Sequence, residues 1–201
     1  MLFLRKPSLK TIQEFLRAQA KLEFSYSDVG ATAKVPPANY KVDHTRIKLG
    51  QGPEVFERAK AALRRWEQFR LGWVEASPTD TPIEVGSVVA VVATQVGLWW
   101  LNACRIVYVV DDAGLDNRFG FAYGTLPDHC GTGEERFLVE WDRAGGDVFY
   151  DILAFSQPNQ FLTRLGYPYM RRVQKRFGSA SSAAMLRAVG ATGGVEANLP
   201  L

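Results

Sequence analysis

The chain has 201 residues, 47% of them hydrophobic and 22% charged, which is enough apolar mass for one domain to bury a full core without disulfide or metal staples. Its net charge of +3 is slight, the basic residues are scattered and no nucleic-acid-reading motif accompanies them, so a nucleic-acid partner is not expected. Cys104 and Cys130 show neither CxxC nor zinc-type spacing, so neither a disulfide nor a metal site is expected, and no cofactor is called for.

The opening MLFLRKPSLK has too short an apolar run before Arg5 and Lys6 to act as a signal peptide, and a cytoplasmic location is the default. Residues 8–22 place Leu9, Ile12, Phe15, Leu16 and Ala20 on one stripe, an amphipathic helix with Ser8 as its cap. FSYSDVGATA and the pair Pro36-Pro37 read as irregular chain. Residues 40–49 read as a strand closed by Gly50 and Gly52. Gly50-Gln51-Gly52 lacks both GxGxxG and a P-loop lysine, and Pro53 removes an amide donor, so it reads as a turn and not a phosphate site. Pro53 then opens a helix over 53–69, with Val55, Phe56, Ala59, Leu63 and Trp66 inward.

Six strands follow, at 71–76, 86–95, 99–111, 117–125, 134–142 and 147–156. The uncharged run from Val85 to Cys104 is long enough to span a bilayer. Its valines, Gly97 and the polar Thr94, Gln95 and Asn102 suit two buried strands and their turn, and no membrane span is expected. The region 158–190 is helical with an interruption near Gly166 and Pro168, and residues 191–201 form a loose tail. The organisation is one domain over 1–201, with a helix and irregular arm over 1–39 and a core over 40–190.

The order from Tyr40, strand, helix, six strands and long helix, resembles the helix-grip fold of the Bet v 1 and START-like superfamily. That resemblance implies an α+β protein whose curved antiparallel sheet of about seven strands wraps a C-terminal helix around an apolar cavity, here with an extra N-terminal helix. Individual words carry a closer resemblance: FSYSDVGAT at 24–32, RIKLGQGPEVFERA at 46–59, LNACRIVYVVDD at 101–112, RFGFAYGTLPDHCGTGEERFLVEW at 118–141 and YDILAFSQP at 150–158. Together they are similar to the uncharacterised family DUF1990, also called UPF0548. This family brings no catalytic residues with it.

Function has to be read from the side chains on each face. Hairpins with centred turns pair Arg105, Val107 and Val109 with Tyr123, Phe121 and Phe119; those in turn pair with Glu135, Phe137 and Val139, which meet Ala154, Ile152 and Tyr150. One face is then apolar and inward, while Arg118, Glu134, Arg136, Glu140, Asp147 and Asp151 face solvent. The inner face carries a polar row across three strands, Arg105, Tyr123 and Glu135. A buried arginine and carboxylate persist only when paired, and an adjacent Arg105 would hold Glu135 ionised.

Two roles are open to the row: closing the end of the sheet, or anchoring the polar head of a ligand among Phe121, Phe137, Tyr150 and Trp99. Trp99 and Trp100 read equally as core tryptophans. His44 reads as a hydrogen-bonded histidine at a sheet edge, and His129 has no ligand-spaced neighbours. Cys104 falls on the outer face, packed and without a nucleophile motif. Arg171, Arg172, Lys175 and Arg176 form a basic stretch on the last helix. Gly120, Ala122 and Gly124, beside Cys104, Ile106 and Tyr108, leave a smooth outer patch for the N-terminal helix or a second subunit, a homodimer. The expected partner is a small hydrophobic molecule or lipid. An enzyme of the same fold, acting on a hydrophobic substrate, and a macromolecular interaction module are the other readings.

Overall fold

A computed structural model describes residues 1–112, 117–159 and 167–190. Residues 113–116, 160–166 and 191–201 lie outside the described residues, and with them the expected interruption at Gly166, the first part of the expected helical region and the expected loose tail. Strand β1 is Leu2–Phe3 and helix α1 Leu9–Gln19; β2 is Lys41–Gln51 and α2 Pro53–Arg64. Five consecutive strands then run uninterrupted by helix after the short β3, Val74–Ser77: β4 Val88–Gln95, β5 Leu98–Asp112, β6 Arg118–Thr125, β7 Gly131–Trp141 and β8 Asp147–Pro158. Helix α3, Tyr167–Ala188, ends the described chain. Every pairing is antiparallel, in the order β2-β8-β7-β6-β5-β4-β3, with β1 added beside β5. The sheet is a curved half-barrel with α2 and α3 on its concave side, the helix-grip arrangement that the element order implied.

Local chemistry accounts for the element ends. Ser8 Oγ accepts the Thr11 amide at 3.2 Å and caps α1, whose Ile12, Phe15 and Leu16 are buried. Leu9 and Ala20 prove exposed; Gln19 takes the inward position instead, its amide donating to Asp128 at 2.8 Å. The uncharged run folds as β4 and β5. Its two-residue turn, Val96-Gly97, has positive φ at both positions, as a tight hairpin requires. No helix among the described residues is long and apolar enough to cross a membrane.

Helix α2 is shorter than its periodicity predicts, because Trp66 adopts a left-handed φ of 57° and stops it. The Trp66 indole stays in the core and donates to the Thr81 carbonyl at 2.8 Å. The turn that follows, Glu67–Phe69, swings Phe69 onto the sheet against Phe137.

Two apolar layers result. The concave layer joins Phe56, Leu63, Trp66 and Phe69 to Val89, Ile106, Phe119, Phe121, Phe137, Val139, Tyr150 and Met185. The convex layer seats Ile12, Phe15 and Leu16 of α1 on Ala90, Val92, Leu101, Ala103 and Leu126. The chain's own N-terminal arm continues across the convex side of β6 and β7. Ser25 N donates to the Thr125 carbonyl at 3.0 Å and the Tyr26 hydroxyl to Glu134 at 2.7 Å.

Glu134 therefore does not face solvent, as simple alternation suggested. It is 2% exposed and collects the Tyr26 hydroxyl, the amides of Gly30 (2.7 Å) and Thr32 (2.9 Å) and the Thr32 hydroxyl. The smooth patch serves this cover, since a Cβ on Gly124 would lie 2.2 Å from the Tyr26 hydroxyl. Gly124→Ala is expected to push Tyr26 off Glu134 and destabilise the protein by about 2 kcal/mol, as overpacking does. Urea denaturation measures this, and an unchanged midpoint would refute the close fit.

Candidate functional site

The pairing of β6, β7 and β8 follows the predicted register. Tyr123 lies opposite Glu135, Phe121 opposite Phe137, and Glu135 opposite Ala154. Between β5 and β6 the expected register does not hold. Arg105 pairs with Gly124 and Ile106 with Tyr123, and then a β-bulge at Val107 resets the phase so that Tyr108 meets Ala122 and Val109 meets Phe121. A bulge inserts an unpaired residue, and the alternation of faces inverts across it.

Residues before the bulge consequently exchange sides. Cys104 and Ile106 join the concave core, which corrects the outer-face placement of Cys104, and burial pushes the Cys104 thiol up. Arg105 goes to the convex face, where it donates to the carbonyls of Ala20 and Leu22, both at 2.8 Å, and lies 5.3 Å from the ring of Phe24. It thus closes the C-terminal end of α1. Trp99 is also on the convex side, packed with the α1 cluster, paired with Phe3 and covered by Lys6. The expected row of three is a pair, Tyr123 and Glu135.

That pair borders a cavity of about 530 Å³ between the sheet and α3. Phe69, Trp73 and Val91, Ile152 of β8, and Val173 and Phe177 of α3 give it apolar walls. Phe121, Phe137 and Tyr150 do not line it. They are fully buried beneath it, because Trp66 and Phe69 fill the lower part of the concave face and the Tyr150 hydroxyl bonds Ser181 at 2.9 Å. Sequence alternation identified the correct face but could not show how deeply α2 and its following turn fill it.

Glu135 has one hydrogen bond, accepted from the Tyr123 hydroxyl at 2.8 Å, and no cation within ion-pair distance among the described residues. It is partly buried and lines the cavity. Burial dominates, the Tyr123 hydrogen bond opposes it and Asp43 adds to it, so the carboxyl is raised from its ordinary 4.5 to about 7. This reverses the expectation of a permanently ionised group, which depended on Arg105. Burial also raises the Tyr123 hydroxyl well above its ordinary value.

Several other polar groups on the wall are engaged. Asp43 binds Arg171 of α3, with Nη1 and Oδ2 at 2.5 Å. Asn102 donates to the Val91 carbonyl and accepts the Cys130 amide. His129 Nδ1 accepts the Gly131 amide at 3.0 Å, and burial drives the ring down to about 4, so it is neutral. His44, on the edge strand β2, bonds Asp151 at 2.7 Å. The basic stretch of α3 is not one open patch, since Arg171 is tied to Asp43 and Arg176 lies 4.4 Å from the ring of Trp73. No group of three potential metal ligands occurs among the described residues.

The model of a domain of unknown function, DUF1990, matches residues 25–184. A UPF0548 protein of Dictyostelium discoideum is 39% identical over 214 residues, covering 98% of this chain and 99% of that protein. A UPF0548 protein of Arabidopsis thaliana is 35% identical over 164 residues, 80% of this chain and 78% of that one. Among solved structures, a hypothetical protein of Helicobacter pylori superposes with a TM-score of 0.51 at 10% identity, covering 82% of this chain and 95% of that chain, a likeness of fold alone.

Proposed function

The chain belongs to the DUF1990 family, a domain of unknown function, and from its cavity we propose that it binds a small apolar molecule between the sheet and α3, with Tyr123 and Glu135 as the polar anchor. The observation that carries this reading is a volume of about 530 Å³ walled by Phe69, Trp73, Ile152 and Phe177 with one incompletely bonded carboxyl on its wall. Small-molecule sites have this size and this economy of polar groups. A pair that served only to close the sheet would have no need of space beside it.

Ala154 tests the reading, because it faces Glu135 across the β7–β8 pair and lines the cavity. Ala154→Trp fills the space. An environment-sensitive apolar dye titrated into the wild type is expected to brighten and saturate, and the variant to bind it at least about tenfold more weakly while remaining folded by circular dichroism. Undiminished dye binding by the folded variant would remove the cavity as the binding site.

A second reading, an enzyme of this fold acting on a hydrophobic substrate, draws on the same carboxyl. A group raised to about 7 and facing a cavity exchanges a proton readily at neutral pH, as a general acid or base must. Recovery of bound ligand chemically unchanged after prolonged incubation with the wild type would dispose of it.

A further inference from the structure

We propose that the molecule this cavity selects is an apolar amine, held as its ammonium ion with the nitrogen against Glu135. The inference rests on the binding reading above and names its ligand class. A carboxylate offers about four acceptor positions, and the Tyr123 hydroxyl occupies one of them on Oε2. Among the described residues no cation lies within ion-pair distance to complete the rest.

The groups around Glu135 account for this shortage. On β2, Asp43 adds a further negative charge, and Arg171 of α3 is bound to that aspartate and to Gln174. His44, also on β2, is engaged by Asp151. On β5 and β8, Cys104 and Tyr150 are buried acids that burial keeps protonated. His129, in the turn before β7, is neutral. Lys175 lies on the cavity border with an exposed side chain.

An anionic head group seated beside Glu135 would therefore meet like charge, and a neutral one would leave the carboxylate without a counter-ion. An ammonium supplies up to three donors and the missing charge together, the arrangement that makes a buried ion tolerable. The aromatic rings of Phe69 and Phe177, with centroids 5.3 Å apart, add faces that attract a cation and cover an alkyl or aryl body.

The test uses the intact chain and three probes of one length, decylamine, decanol and decanoate, each displacing the apolar dye at about pH 8, where Glu135 is ionised and the amine protonated. Decylamine is expected to displace the dye at a concentration about tenfold or more below decanol, with decanoate weakest. In Glu135→Gln the amine should lose about tenfold in affinity and decanol less than about twofold. Lowering the pH to about 5.5 should erase the amine's advantage in the wild type as Glu135 takes up its proton, and should leave the variant unchanged. Equal affinity for amine and alcohol, or a preference for decanoate, would overturn the ligand class while leaving the cavity reading intact. Failure of the dye and of all three probes to bind would overturn both.

Discussion

Glu134→Gln is expected to destabilise the fold by about 3–5 kcal/mol, the usual cost of removing one partner from a buried, charge-assisted network. Four donors converge on the Glu134 carboxylate from one stretch of the arm: the Tyr26 hydroxyl, the Gly30 and Thr32 amides and the Thr32 hydroxyl. A glutamine keeps one acceptor oxygen and turns an NH2 toward one hydroxyl, which can accept, and one backbone amide, which can only donate, so that amide is left buried and unpaired. The loss extends beyond one residue, because this carboxylate fastens the arm over β6 and β7. Urea denaturation should report the energy. Hydrogen exchange should report its location, as accelerated exchange at Gly30 and Thr32 with the β7–β8 amides still protected. A change below about 1 kcal/mol would show that the arm is held by its apolar contacts alone.

The next residue should respond in the opposite sense. The folded state holds Glu135 at about 7 against an ordinary 4.5, so between those values the native protein keeps a proton that the unfolded chain has released. Its favourable contribution is complete below about pH 4.5 and is lost as pH rises through about 7, a difference of roughly 3 kcal/mol. Glu135→Gln has no charge to desolvate and still accepts the Tyr123 hydroxyl. The variant is thus expected to be more stable than the wild type by roughly 3 kcal/mol at about pH 8 and to match it near pH 4. Chemical denaturation at the two pH values decides the point, and a variant less stable at pH 8 would mean that Glu135 is ionised and well paired in the native state. Neighbouring glutamates with opposite effects would also be direct evidence that β7 is covered on both faces.

Much of this was legible in the sequence. The strict alternation of Phe119, Phe121 and Tyr123 against Glu135, Phe137 and Val139 gave the register of three strands, because their hairpins contain no irregularity. It also separated Glu134 from Glu135. What alternation cannot reveal is an inserted residue: nothing in CRIVYVV marks Val107 as unpaired, since a bulge depends on how the partner strand closes. Nor does periodicity show that Trp66 leaves the helix, as its side chain would face inward in either case. The stretch FSYSDVGATA reads as irregular chain, and apart from a 3-10 turn at Ala31–Ala33 it has no helix or strand. Its function as a lid on the convex face lies in long-range bonds from Ser25, Tyr26, Gly30 and Thr32, which local pattern does not encode. The glycines of β6 were the available signal, as small residues on a strand leave room for something to lie against them.

The bulge in β5 also bears on how this strand can change during evolution. A chain that lost Val107 would straighten the strand yet keep Cys104 and Ile106 inside and Arg105 outside, because the removed residue is the one without a partner. A chain that kept its length and smoothed the bulge into regular alternation would carry Arg105 inward beside Glu135 and neutralise the cavity. A deletion at position 107 is therefore expected to be tolerated, and it is the placement of the bulge between Arg105 and Tyr108 that keeps the guanidinium off the concave face.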